Sequence, residues 1–227
     1  MSLLSYVSRR GSVFFIASVA CLVALGLPSM EAHAERDTGF RVSVQGGFTS
    51  NASVNLRKNG NNTLKSSDET SPAFGAAFYY GFEQIDVGLA IEHVGSGSFQ
   101  GFSKNRPLGG KVRVAGVLNW HYISGLWGTM YLGFSPGVVF IQHNDHLRSQ
   151  IATALGRLPT QLDGIDKYNE GFSFGTTFGL FFNVTDDFAL VFEGQILVND
   201  VRLQEESDDL NYLSTQPVFR MGFAAQL

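Results

Sequence analysis

From Phe40 to the last residue, apolar side chains recur at every second position in eight separate stretches. The first four are Phe40, Val42, Val44, Gly46 and Phe48; Phe74, Ala76, Phe78, Tyr80 and Phe82; Ile85, Val87, Leu89 and Ile91; and Val112, Val114, Gly116, Leu118 and Trp120. The other four are Met130, Leu132, Phe134, Pro136, Val138 and Phe140; Phe172, Phe174, Thr176, Phe178, Leu180 and Phe182; Phe188, Leu190, Phe192, Gly194 and Ile196; and Phe219, Met221, Phe223, Ala225 and Leu227. A period of two predicts strands with one apolar face, because successive side chains leave opposite sides of an extended backbone. An even number of strands returns both ends of the chain to one side.

The expected connections alternate in length. Long ones run from Thr49 to Ser71, Gly95 to Gly109, His143 to Glu170 and Asp200 to Thr215; tight ones lie at Glu83-Gln84, Ile123 to Gly128 and Thr185 to Asp187. The second face of the strands is built of small residues, among them Gly75, Ala77, Gly81, Gly88, Ala90, Ala115, Gly133, Ser135, Gly137, Ser173, Gly175, Thr177 and Gly179. A water-facing exterior would carry Lys, Glu and Thr, whereas glycine and alanine suit a narrow interior. The small face is therefore expected inside and the apolar face outside. The fold class expected is all-β: an eight-stranded antiparallel transmembrane β-barrel of up-and-down topology, with strands near the roughly 9 to 11 residues that a tilted membrane strand needs. The long loops would face outside the cell and the short turns the periplasm.

The N-terminus fits that destination. Residues 1–34 read as a secretory leader, with Arg9 and Arg10 ahead of the apolar run Val13 to Leu27 and Ala32-His33-Ala34 as the cleavage site. The barrel domain is then expected over 35–227. Ser8-Arg9-Arg10 is a partial twin-arginine motif, but a plain positive n-region is favoured, since a membrane barrel should cross the inner membrane unfolded. The only cysteine, Cys21, lies within the leader, and Ser18 stands where a lipoprotein signal usually has leucine, so neither a disulfide nor an acylated N-terminus is expected. Removing Arg9, Arg10 and Glu31 from the 16 basic and 20 acidic residues leaves 14 and 19, a net charge of −5. Nucleic-acid binding has no electrostatic support at that balance.

Aromatic residues gather beside the short turns. Tyr79, Tyr80 and Phe82 flank the first; Trp120, Tyr122 and Trp127 the second; Phe181, Phe182 and Phe188 the third. Of the aromatics near these turns, Tyr80, Phe82, Trp120, Tyr122, Trp127 and Phe188 are expected to form a periplasmic aromatic girdle.

On these residues the chain resembles the small outer-membrane barrels of the OmpA-transmembrane, OmpX and opacity-protein type. Its most local matches are the hairpin from Phe182 to Leu190 through Asn183-Val184-Thr185-Asp186-Asp187, and the closing strand from Arg220 to Leu227. The resemblance implies that Gly222, Phe223, Ala225 and Leu227 form an assembly signal read by the barrel-assembly machinery. The family usually ends in an aromatic residue, and Leu227 departs from that. No peptidoglycan-binding domain is expected after the barrel.

Large polar residues on the inward face are few. A symmetric join of the third and fourth strands sets Glu92 opposite Arg113, and the last hairpin brings Glu193 near Arg220. With Arg41, Lys111, Gln45, Asn119, His121 and Gln195 they compose an expected lumen network of ion pairs. A plug is favoured over a gated narrow pore, because an eight-stranded interior is just wide enough for side chains to fill.

A lipid A hydrolase is disfavoured: His93 and Ser96 differ by three positions, which puts them on opposite faces of a regular strand, and the His-x-Ser-Asn arrangement of lipid A deacylases is absent. No metal site is expected either, since His143, His146 and Asp145 lack a convincing fourth ligand. The third loop carries an expected helix at 144–158, with Leu147, Ile151, Leu155 and Leu158 at helical spacing before Pro159. The fourth loop, acidic through Asp200, Glu205, Glu206, Asp208 and Asp209, is expected to be a solvated, disordered charge run, and the first loop to be mobile.

The reading that results is a monomeric, non-enzymatic outer-membrane surface protein without cofactors. Its partners would be membrane lipid and lipopolysaccharide, and its external loops would serve adhesion, surface interaction or envelope integrity. The alternative is a narrow porin-like channel for small or hydrophobic solutes.

Overall fold

A computed structural model of the protein describes residues 38–49, 53–58, 61–65, 70–95, 110–125, 127–142, 149, 152, 156, 168–205 and 208–227. The expected leader, Ser96, and the group His143, Asp145 and His146 lie outside these residues, as does the 144–158 helix apart from isolated positions.

Eight strands form the wall: β1 (Gly39–Thr49), β4 (Ser71–Gly81), β5 (Ile85–Gly95), β6 (Gly110–Gly125), β7 (Gly128–Gln142), β8 (Tyr168–Asn183), β9 (Phe188–Glu205) and β10 (Asp208–Gln226). Each pairs antiparallel with the next, and β1 closes on β10 from Arg41↔Gln226 to Thr49↔Val218, so the barrel has no open edge at this seam. Closure satisfies every wall strand on both sides, which is what allows extended backbone to sit in hydrocarbon. No helix among the described residues is long and apolar enough to cross a membrane.

The two faces separate as the alternation requires. Val44, Leu89, Ile91, Phe74, Phe134, Phe178, Phe192, Met221 and Phe223 are exposed on the outside. Ala90, Ala115, Ser135, Ser173, Thr177 and Arg113 are buried inside. On β9 the outward apolar series runs from Phe188 to Val198 and stops at the exposed Asp200. At ~3.3 Å per residue and a tilt near 40° those residues rise about 25 Å, the height of a membrane barrel's apolar band. This exterior would aggregate in water and is at home in lipid.

The external side differs from the expectation in two places. The fourth loop is not a disordered run, since β9 and β10 stay paired out to Asp208↔Glu205. Beyond the apolar band the inward positions Val201, Tyr212, Ser214 and Gln216 remain buried while Asp200 and Arg202 are exposed. The alternation therefore continues with charged residues outward, a pattern that an apolar count misses.

The first loop is also not a mobile segment throughout: it holds β2 (Ser53–Lys58) and β3 (Asn61–Lys65). Asn55↔Lys65 and Leu56↔Leu64 keep the register of Phe48↔Pro72 and Thr49↔Ser71, so β2–β3 is the outward continuation of the β1–β4 hairpin. β2 lies on the edge of β10 that β1 uses lower down, resuming at Ser53↔Thr215 one residue out of step with Thr49↔Val218. Pro217, which has no N–H to donate, sits at that interruption. Pairing with β2 supplies partners to the outer backbone of β10 that β1 is too short to reach. On the periplasmic side, the turn expected over Ile123 to Gly128 is tighter, because β6 continues to Gly125 and β7 begins at Gly128.

Candidate functional site

The interior is stacked in layers set by residue parity. At the periplasmic end, Asp86 on β5 takes Arg41 from β1, Nη1 to Oδ2 at 3.3 Å, and His121 from β6, Nε2 to Oδ2 at 2.9 Å. Above them lies an apolar layer of Tyr131, Phe181, Val191 and Ala224. Tyr131 stacks on Phe181 at 4.9 Å between centroids, and the Arg41 guanidinium lies 5.5 Å from the Phe181 ring. Tyr131 occupies space that a Cβ on Gly179 would invade at 2.1 Å, so glycine on β8 admits the ring from β7.

The central layer is a four-charge cluster. Glu92 accepts from two arginines, one on each carboxylate oxygen: Arg113 Nη1 to Oε2 at 2.5 Å and Arg220 Nη1 to Oε1 at 2.6 Å. Arg220 also reaches Glu193 at 3.4 Å and donates to Gln195 Oε1 at 2.7 Å. Arg113 donates from Nε to Ser173 Oγ at 2.7 Å and from Nη2 to Ser135, while Tyr131 donates its hydroxyl to Glu193. Two positive and two negative charges cancel. The serines and Gln195 occupy guanidinium protons that the carboxylates do not, which helps a buried ion cluster to be tolerated, while Arg220 Nε has no hydrogen-bond partner among the described residues.

A second apolar layer, Ala73, Val94, Leu197 and Val218, caps this cluster toward the outside. Above it, Lys111 at the start of β6 meets Ser214 and Gln216 of β10. The expected lumen residues thus fall into three groups. Glu92, Arg113, Glu193 and Arg220 come together; Arg41 joins Asp86 and His121; Lys111 stands apart at the external end.

Asp86, Tyr131, Ser135 and Ser173 complete these groups and were not among the expected site residues. Their signal was parity alone, since Asp86 shares the face of Glu92 and Tyr131 that of Ser135. Among the described residues, a cavity of about 20 Å³ lies beside Ser43, Gln45, Tyr79, Asn119 and the central cluster, enough for a single water.

At the other expected positions, Tyr80, Phe82, Trp120, Trp127 and Phe188 are exposed on the outside near the short turns, with Tyr122 partly covered beside Trp120. Phe223 and Leu227 are exposed, Gly222 and Ala225 are half-buried, and Phe223 stacks on Phe188 at 5.5 Å. His93 faces outward. Among the described residues no three His, Cys, Asp or Glu side chains converge as metal ligands would.

No family model matches the chain, and no curated protein matches it significantly. Solved structures do. The outer membrane protein OprG from Pseudomonas aeruginosa superposes with a TM-score of 0.52 at 12% identity, covering 85% of this chain and 97% of its own. This chain has the fold of the small outer-membrane barrels. Neisserial surface protein A aligns with a TM-score of 0.50 at 10% identity over 83% of this chain and 97% of that one. The outer membrane protein AlkL, solved in lipid bilayers, gives 0.50 at 14% identity over 88% and 96%. The wall that these outer-membrane barrels share with this one explains its lipid-facing exterior and places it in the Gram-negative outer membrane.

Proposed function

We propose that this barrel is a non-enzymatic surface protein whose activity resides outside the membrane, in adhesion, surface interaction or envelope integrity. The observation that carries this reading is the filled lumen. Two apolar layers and the Glu92, Arg113, Glu193 and Arg220 cluster lie across the lumen, the cavity beside the cluster has room for about one water, and a solute path would require the cluster and Leu197 to move together. Outside the apolar band, by contrast, the sheet continues as β9, β10, β2 and β3 in that order, a paired ledge above the membrane wall.

The same reading assigns residues 1–34 as a removed leader, Gly222, Phe223, Ala225 and Leu227 as the signal to the assembly machinery, and the turn-side aromatics as the periplasmic girdle. The protein acts as a monomer without cofactor, in contact with lipid and lipopolysaccharide.

The test pairs two measurements on the full chain. Purified wild-type barrel in planar bilayers should show no steady conductance. Deleting residues 53–65 in cells should lower adhesion or raise sensitivity to detergent while the protein stays heat-modifiable on gels. A steady wild-type conductance would replace this reading with a narrow channel. A deletion without effect on either cellular property would remove the external sheet as the functional element.

A further inference from the structure

We propose that the cavity beside the central cluster is a binding site for one structural water, which accepts from Arg220 Nε and Asn119 Nδ2 and donates to the Glu193 carboxylate.

The central cluster leaves part of the Arg220 guanidinium unused. Nη1 donates to Glu92 at 2.6 Å and Nη2 to Gln195 at 2.7 Å, whereas Nε has no hydrogen-bond partner among the described residues. Asn119 Nδ2 is in the same condition. Arg220 is 6% exposed and Asn119 1%, so bulk solvent serves neither donor, and a buried donor without a partner bears its full desolvation cost. Glu193 has the opposite shortfall. Its Oε1 accepts from the Tyr131 hydroxyl, but its Oε2 meets Arg220 Nη2 only at 3.4 Å, beyond the ~2.7–2.9 Å of a direct charged hydrogen bond.

These three residues line one cavity, whose volume of about 20 Å³ accommodates a single water. The wall supplies the room, because β4 and β5 present only Gly75, Ala77 and Ala90 to this part of the lining. Even a Cβ on Gly75 would lie 2.9 Å from Arg220 Nη1. The chemistry of the lining selects a neutral occupant. Glu92 and Glu193 border the cavity and would repel an anion, while the two unpartnered groups are donors and would repel a cation. Water both accepts and donates. With the N–H groups of Arg220 and Asn119 and the Glu193 carboxylate it makes about three hydrogen bonds, the usual number for a buried water. Every guanidinium nitrogen of Arg220 is then engaged, and its loose contact with Glu193 gains a bridged one. Nothing in this site depends on the external sheet serving as a binding surface.

The test uses the full-length barrel refolded in detergent with its alanine methyls isotopically labelled for NMR. The Ala77 and Ala90 methyls, whose protons do not exchange with solvent, should show cross-peaks to the water resonance. Their sign should be opposite in NOE and ROE spectra, as for a water that tumbles with the protein. Asn119→Leu, which removes one donor, should abolish the cross-peaks. Ala77→Val, which fills the space and keeps both donors, should abolish the one at Ala90 and keeps the test informative if the first variant refolds poorly. Absence of the cross-peaks in wild type would overturn the site, and xenon-induced shifts of the same methyls would then show the cavity to be dry. Cross-peaks as strong in both variants as in wild type would assign them to exchanging hydroxyls of Ser43, Tyr79 or Thr177, and would overturn the site as well.

Discussion

Arg220 on β10 binds Glu92 across the lumen, Nη1 to Oε1 at 2.6 Å, although 128 positions separate them. It is also the register partner of Glu193 on the neighbouring strand. One guanidinium therefore ties the last strand of the barrel to β9 beside it and to β5 across the interior.

Replacing Arg220 by methionine keeps its bulk and leaves two carboxylates with one arginine. The expected cost is about 3 to 5 kcal/mol, as for a buried pair stripped of one partner. Urea unfolding of the refolded barrel should show this as an earlier midpoint. Adding Glu193→Gln should recover part of the loss, because it removes the carboxylate that Arg220 had shared with Glu92.

Gly222 packs against the opposite side of the closing seam. A Cβ there would lie 2.0 Å from the Val44 carbonyl oxygen and 2.7 Å from the Gln45 Cα, both backbone atoms that cannot turn aside. Gly222→Ala should push β1 from β10 and destabilise the barrel by at least ~1 to 3 kcal/mol, the range for overpacking. Its refolding yield, read as the heat-modifiable band on gels, should fall well below wild type. A normal yield would mean that the seam is looser than this geometry.

The barrel closes through β1 and β10 below Val218, whereas β2 pairs only with Leu210 to Thr215. Removing residues 53–65 should therefore leave the unfolding temperature nearly unchanged. Amide hydrogens of Leu210 to Thr215 should exchange faster, because one side of that segment loses its neighbour. Exchange spreading down to Phe219 would show that the outer sheet braces the membrane wall.

Both tryptophans of the chain flank one short turn, and Trp127 is 77% exposed. In liposomes, lipids brominated near the headgroup should quench their fluorescence more than lipids brominated deep in the acyl chain. Stronger quenching from the deep position would move this turn out of the interface and with it the girdle.

The barrel was legible in the sequence because membrane strands carry a one-residue code: each side chain faces either lipid or lumen. That code located eight strands, set the small residues inside and paired Glu92 with Arg113, which are register partners on adjacent strands. It did not reveal the outer strands. There the outward positions become polar once they leave lipid, so Asp200 and Arg202 read as loop although their neighbour Val201 is buried. Nor did it place β2 and β3, whose pairing depends on how far β10 projects.

The sequence alone thus determined the wall, because hydrocarbon on one side and a narrow lumen on the other impose a choice at every residue. Only the tertiary structure decided the contents of the lumen. Which arginine reaches which carboxylate depends on how the closed strands are staggered, and that stagger joins Arg220 to Glu92 while leaving Lys111 among neutral side chains.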